Sequence, residues 1–172
     1  DYIQLNFSED KWGCTNDGVD LYIDDICIVN PYTVIPPADP TSVLADFDTI
    51  GTVDTTFEFV AGNENFSAPT AETVTSNTNM GNGVKITLQQ YGVVKIKPTD
   101  PDFQWYGDGI KIWYKTDAER LLYIELFTKS GDCYKIGTGQ YNVNSFPASE
   151  GEFITFNYAD FNGGRYFDWA ET

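Results

Sequence analysis

Gly109–Thr128 reads GIKIWYKTDAERLLYIELFT, and its spacing decides the fold class. Side chains of an extended strand alternate between two faces. Ile110, Ile112 and Tyr114 therefore share one face, and Lys111, Trp113 and Lys115 share the other. After the polar break TDAE the alternation restarts. Leu122, Ile124 and Leu126 form an aliphatic face, with Tyr123, Glu125 and Phe127 opposite. Two such runs joined by a short polar turn predict strands that bury an aliphatic face in a common core.

The same character extends outward from this stretch. Val19–Val29, Val43–Asp48, Val84–Leu88, Val93–Ile96, Tyr134–Gly137 and Phe153–Tyr158 are short, β-branched or aromatic, and bounded by Gly, Asn, Asp or Pro. In the last of them Ile154, Phe156 and Tyr158 read as core, leaving Phe153, Thr155 and Asn157 opposite. No segment sustains an apolar 3.6-residue period over three turns, so long helices are not expected. Many short strands separated by turn signals predict an all-β chain, an antiparallel β-sandwich.

With 172 residues, 41% apolar and 21% charged, the chain suits one well-buried domain rather than a disordered segment. Twenty-six Asp and Glu against 10 Lys and Arg leave a net charge of −16. A field of that sign repels nucleic-acid phosphates and anionic lipid, and it suits neutral partners or divalent cations. No apolar stretch approaches the ~20 residues of a membrane-spanning helix. The missing initiator Met and basic leader suggest a piece of a longer protein. The three cysteines, Cys14, Cys27 and Cys133, follow no metal-ligand spacing, and a Cys14–Cys133 bridge is left open. Histidine is absent, which removes Ser-His-Asp and Cys-His catalysis and His-ligated zinc.

Asn30–Thr41 holds four of the eight prolines and reads as an extended connector. On either side of it lie two related stretches. Asp1–Trp12, DYIQLNFSEDKW, matches Glu152–Gly163, EFITFNYADFNG, at an offset of 151 residues. Ile3 equals Ile154 and Asn6 equals Asn157, while Tyr2, Leu5, Phe7 and Glu9 correspond in character to Phe153, Phe156, Tyr158 and Asp160. This predicts a seam between tandem copies of one unit. Residues 1–30 would be the tail of a preceding repeat that supplies a closing strand, 31–42 the connector, and 43–172 the main sandwich. Closure within the chain is expected, with a strand-swapped oligomer as the alternative to a monomer. The sequons Asn6-Phe7-Ser8 and Asn65-Phe66-Ser67 read as chance matches.

The order VLADFD, TVTSNTNMGNGVKITL, DGIKIWYKTD, LLYIELFTKSGDCYKI and EFITFNYADF, with VDLYIDDICIV as a closing strand, resembles the jelly-roll carbohydrate-binding modules. These accompany bacterial enzymes that degrade the plant cell wall, notably in cellulosomes. The resemblance covers most of Val43–Asp168, with the closing strand found instead at Asp20–Val29. It implies a secreted or cell-surface module attached to catalytic or scaffold modules. It also implies binding of a neutral plant polysaccharide, a β-glucan such as cellulose, mixed-linkage glucan or xyloglucan.

Such binding needs flat rings against sugar CH faces and polar groups for the hydroxyls. The candidate platform is Trp113, Tyr123, Phe127 and Tyr134, with Lys111 and Glu125 as polar partners. Trp105, Tyr106, Tyr166 and Trp169 would rim it. If both faces are covered, Trp113 and Phe127 are instead plain core. Asp24 and Asp25 interrupt an apolar strand, and Asp46 and Asp48 alternate on another. Buried carboxylates are costly unless paired or metal-bound. The resemblance implies a structural Ca²⁺ at Asp24, Asp25, Asp46 and Asp48, with a backbone oxygen from Thr78–Gly83. Solvated edge charges are the alternative there. Glycosidases need a close carboxylate pair across a cleft. Only Glu125 among the glutamates reads from the sequence as mid-strand, so no catalysis is expected. The alternative to glycan binding is a structural or adhesive repeat of a surface protein.

Overall fold

The structure, a computed structural model, describes residues 2–7, 18–29, 43–45, 47, 55–60, 67–98, 107–128, 133–136 and 144–162. These form β1 (Tyr2–Phe7), β2 (Val19–Val29), β3 (Val43–Ala45), β4 (Thr55–Val60), β5 (Thr70–Val74), β6 (Gly83–Leu88) and β7 (Val93–Pro98). They continue as β8 (Gly109–Thr116), β9 (Arg120–Phe127), β10 (Cys133–Ile136), β11 (Asn144–Phe146), β12 (Ser149–Asn157) and β13 (Phe161–Asn162). The only helical element among them is the 3₁₀ turn Tyr158–Asp160.

Two antiparallel sheets hold these strands. The first has the order β13-β10-β9-β1-β7-β4, with β11 also pairing β9. The second has the order β12-β8-β2-β6-β5, with β3 also pairing β2. Their aliphatic faces meet in one core. Ile3, Leu5, Val94, Ile96, Ile124 and Leu126 come from the first sheet, and Leu21, Ile23, Ile26, Ile28, Ile86, Ile110 and Ile112 from the second. The molecule is the expected β-sandwich.

Residues 1–30, expected to supply one closing strand, supply a central strand to each sheet. In β1, Ile3 lies opposite Ile96 of β7 on one flank and Leu126 of β9 on the other. In β2, Ile23 lies opposite Val84 of β6 and Tyr114 of β8. The connector at 31–42 lies outside the described residues.

The parity of β2 changes partway along it. Leu21 and Ile23 are buried, then Ile26 and Ile28. Asp25, at φ 38°, is the extra residue of a bulge where the register with β8 shifts between Asp24 and Ile26. An unbroken strand would turn one of these two aliphatic pairs out to solvent.

Short links carry the chain between the sheets. Gln89–Gly92 takes it from β6 to β7, with the Gly92 N–H donating to the Gln89 carbonyl at 2.9 Å. Asp117–Glu119 takes it from β8 to β9. At the start of β8, Gly109 lies so close to β12 that a Cβ there would fall 2.3 Å from the Phe156 carbonyl oxygen.

Candidate functional site

Each sheet has an outer face turned away from the common core. On the first sheet the register aligns a polar row across five strands. Glu58 lies opposite Lys95, Lys95 opposite Gln4, Gln4 opposite Glu125, and Glu125 opposite Lys135. The Lys95 ammonium donates to Glu58 Oε1 at 2.8 Å, and Lys97 reaches Glu58 Oε2. Hydrogen bonds from these two lysines hold the Glu58 carboxyl down at about 2. Gln4 Nε2 donates to Glu125 Oε2 at 2.6 Å, and Glu125 is only 5% exposed.

Aromatic positions flank this row. Tyr123 is opposite Asn6, and half-buried Phe127 is opposite Tyr2. Alternation along β9 assigns residues 123, 125 and 127 to one face, with Tyr123 and Phe127 about 13 Å apart along the strand.

The second outer face carries a different set. Phe153, Trp113 and Asp24 form one row, and Thr155, Lys111 and Cys27 form the next. Phe153 is 41% exposed, and Lys111 Nζ sits 4.6 Å from its ring centroid, a cation–π contact. Trp113 is only 6% exposed. The backbone of Gly151, at φ 131°, lies against the indole, and a Cβ at that position would fall 2.5 Å from Trp113 Cζ2. Cys27 is also buried; burial pushes its thiol up from the ordinary value, and Sγ donates to the Asp25 carbonyl at 3.6 Å.

The expected platform is therefore divided. Trp113 and Lys111 belong to one outer face, and Tyr123, Glu125 and Phe127 to the other. Tyr134 stands opposite Leu126, a core residue of β9. Trp105, Tyr106, Tyr166 and Trp169 lie outside the described residues. The residues that sequence reasoning missed are Gln4, Glu58, Lys95 and Lys97. For the two lysines the signal was the alternation VVKIKP at Val93–Pro98, where Val94 and Ile96 face the core and Lys95 and Lys97 face out.

Asp24 has no exposed surface. Its Oδ1 accepts the Asp25 N–H at 2.8 Å, and its Oδ2 accepts the N–H groups of Asn79 at 2.8 Å and Met80 at 3.3 Å. Asp25 Oδ2 accepts from Asn79 Nδ2 at 2.6 Å. The pair thus ties the bulge of β2 to the loop between β5 and β6. Burial raises the Asp24 carboxyl to about 6, against the opposing pull of the three N–H donors. As part of a calcium site Asp24 fits poorly, because both its oxygens already face N–H groups. Among the described residues no cluster of three or more His, Cys, Asp or Glu is placed to hold a metal. Asp46 and Asp48 lie outside those residues.

No family model, curated protein or solved structure matches this chain.

Proposed function

We propose that the chain is a non-catalytic, jelly-roll-type module that binds a neutral plant polysaccharide, a β-glucan, on the outer face of the first sheet. The observation that carries the reading is the row Glu58–Lys95–Gln4–Glu125 with Tyr123 and Phe127 on either side of Glu125. Aromatic positions on one face suit stacking against separate sugars of one chain, and the amide, ammonium and carboxylate groups of the row suit hydroxyl hydrogen bonds. The net charge of −16 favours an uncharged glycan over an anionic one. The crossovers between sheets at Gln89–Gly92 and Asp117–Glu119 support the jelly-roll reading. A few stacked sugars supply about 4–8 kcal/mol, corresponding to micromolar to millimolar affinity. Such a module would hold an attached enzyme or cell surface near its substrate.

The test is affinity electrophoresis through gels containing xyloglucan, barley β-glucan, hydroxyethyl cellulose, xylan, galactomannan or pectin. Retardation by a β-glucan, lost in folded Tyr123→Ala and Phe127→Ala variants without release of reducing sugar, is the expected result. A structural or adhesive repeat is the second reading, favoured by the burial of Glu125 against Gln4 and of Trp113 under Gly151. A folded chain that no glycan retards would select it.

A further inference from the structure

β1 and the second half of β12 are identical at Ile3/Ile154 and Asn6/Asn157, similar at most of the other positions, and alike in the way they face the core. Over Tyr2–Phe7 and Phe153–Tyr158 the pairs are Tyr/Phe, Ile/Ile, Gln/Thr, Leu/Phe, Asn/Asn and Phe/Tyr. Ile3 and Leu5 are buried between the sheets, and Ile154 and Phe156 face the same core from the second sheet. Phe153, Thr155 and Asn157 face outward and are exposed. The two strands nevertheless occupy different places. β1 is central in the first sheet, paired on both flanks, whereas β12 ends the second sheet and pairs only with β8 among the described residues.

We propose that the slot between β7 and β9 is a strand-receptor site whose second occupant is the Phe153–Asn157 half of β12 from another copy of this chain. In that arrangement Ile154 and Phe156 take the core positions of Ile3 and Leu5. Thr155 takes the place of Gln4 between Lys95 and Glu125, and Asn157 takes that of Asn6 between Val93 and Tyr123. The half of β12 that makes this contact suits the transfer. Phe153–Asn157 has no charge and no proline, whereas Glu150, Glu152 and the register shift between Ser149 and Glu152 guard the other half. The displaced β1 has the pattern to fill the vacated place beside β8, so the exchange closes on a pair of chains. This inference is independent of the glycan reading.

Two full-length variants, Thr155→Cys and Lys95→Cys, refolded together under mild oxidation, test it. Within one chain these positions lie on opposite outer faces of the sandwich and cannot bridge. In the exchanged pair they are cross-strand neighbours. The expected result is several-fold more mixed disulfide dimer than from Thr155→Cys with Lys85→Cys, suppressed by excess synthetic peptide of residues 1–7. Dimer at the level of that control, from folded protein, overturns the proposal.

A second readout uses full-length Leu5→Asp, whose β1 carries a charge into the core, titrated with a labelled peptide of residues 152–158. Saturable binding is expected if the variant folds, and peptide-dependent recovery of near-ultraviolet circular dichroism if it does not. Absence of both overturns the proposal.

Discussion

At Asp24 a carboxylate is held without solvent by three backbone N–H groups, and two measurable consequences follow from that one side chain. Its carboxyl titrates near 6 in the fold and near 3.8 in the unfolded chain, so folding penalises the charged form. Above about 6 the full penalty applies; it is relieved as pH falls from there toward 4. Relative to Asp24→Asn, the wild type should gain urea resistance between about pH 7 and about pH 5. A difference between the two proteins that is independent of pH would refute this. Glu58 has the opposite sign. Its lowered carboxyl contributes stability above 4.5 that is lost as pH falls toward 2. The second consequence concerns the loop. Asp24→Ala should lower stability by about 2–3 kcal/mol and speed amide exchange at Asn79 and Met80, because buried donors lose a charged acceptor. Trp113→Ala should cost about 3–5 kcal/mol through the cavity it leaves, registering as a stability loss before any loss of binding. The sequence marked Asp24 and Trp113 as conspicuous but not what they do. Two of the acceptor's three partners lie more than fifty residues away, and the indole's cover is the backbone of Gly151, which has no side chain to give it away.

Among the strands, those buried between neighbours were the easiest to read. β2, β8 and β9 alternate or run apolar because both flanks are paired and one face meets the core. Apart from β1, noticed only through its likeness to β12, the strands that escaped are β4, β5, β11 and β13. β4 and β5 end their sheets, and the sequence TAETV offers no apolar alternation to find. β11 and β13 are three and two residues long, below the length at which a period can be seen. The candidate site was half legible for the same reason. Alternation within β9 grouped Tyr123, Glu125 and Phe127, but nothing local says that β8 and β9 belong to different sheets. That separation is what removes Trp113 and Lys111 from the group. Within the polar row the effects should be unequal. Glu58→Gln should change stability little, because its ion pairs are solvated. Gln4→Leu should cost about 1.5–3 kcal/mol, because it withdraws a donor from a buried carboxylate. Equal melting shifts for the two variants would contradict this ordering.

For the whole molecule the excess of acid is the dominant long-range term. A net charge of −16 repels itself across the sandwich. Raising ionic strength from low to physiological should therefore raise the melting temperature measured by calorimetry. A fall would mean that local pairs such as Lys95–Glu58 outweigh the general repulsion. Removing residues 1–7 should abolish cooperative unfolding, since Ile3 and Leu5 and both flanks of β1 are lost together. The central position of β1 also has a bearing on the order of events at the ribosome. Its two neighbours begin at Val93 and Arg120, so the strand is made long before either surface it pairs with exists. At roughly 5–20 residues per second, the nascent chain spends several seconds with its first strand waiting and no sheet complete. The first sheet therefore cannot close around β1 until β9 has been made, and any factor that binds the growing chain before then meets an unpaired first strand.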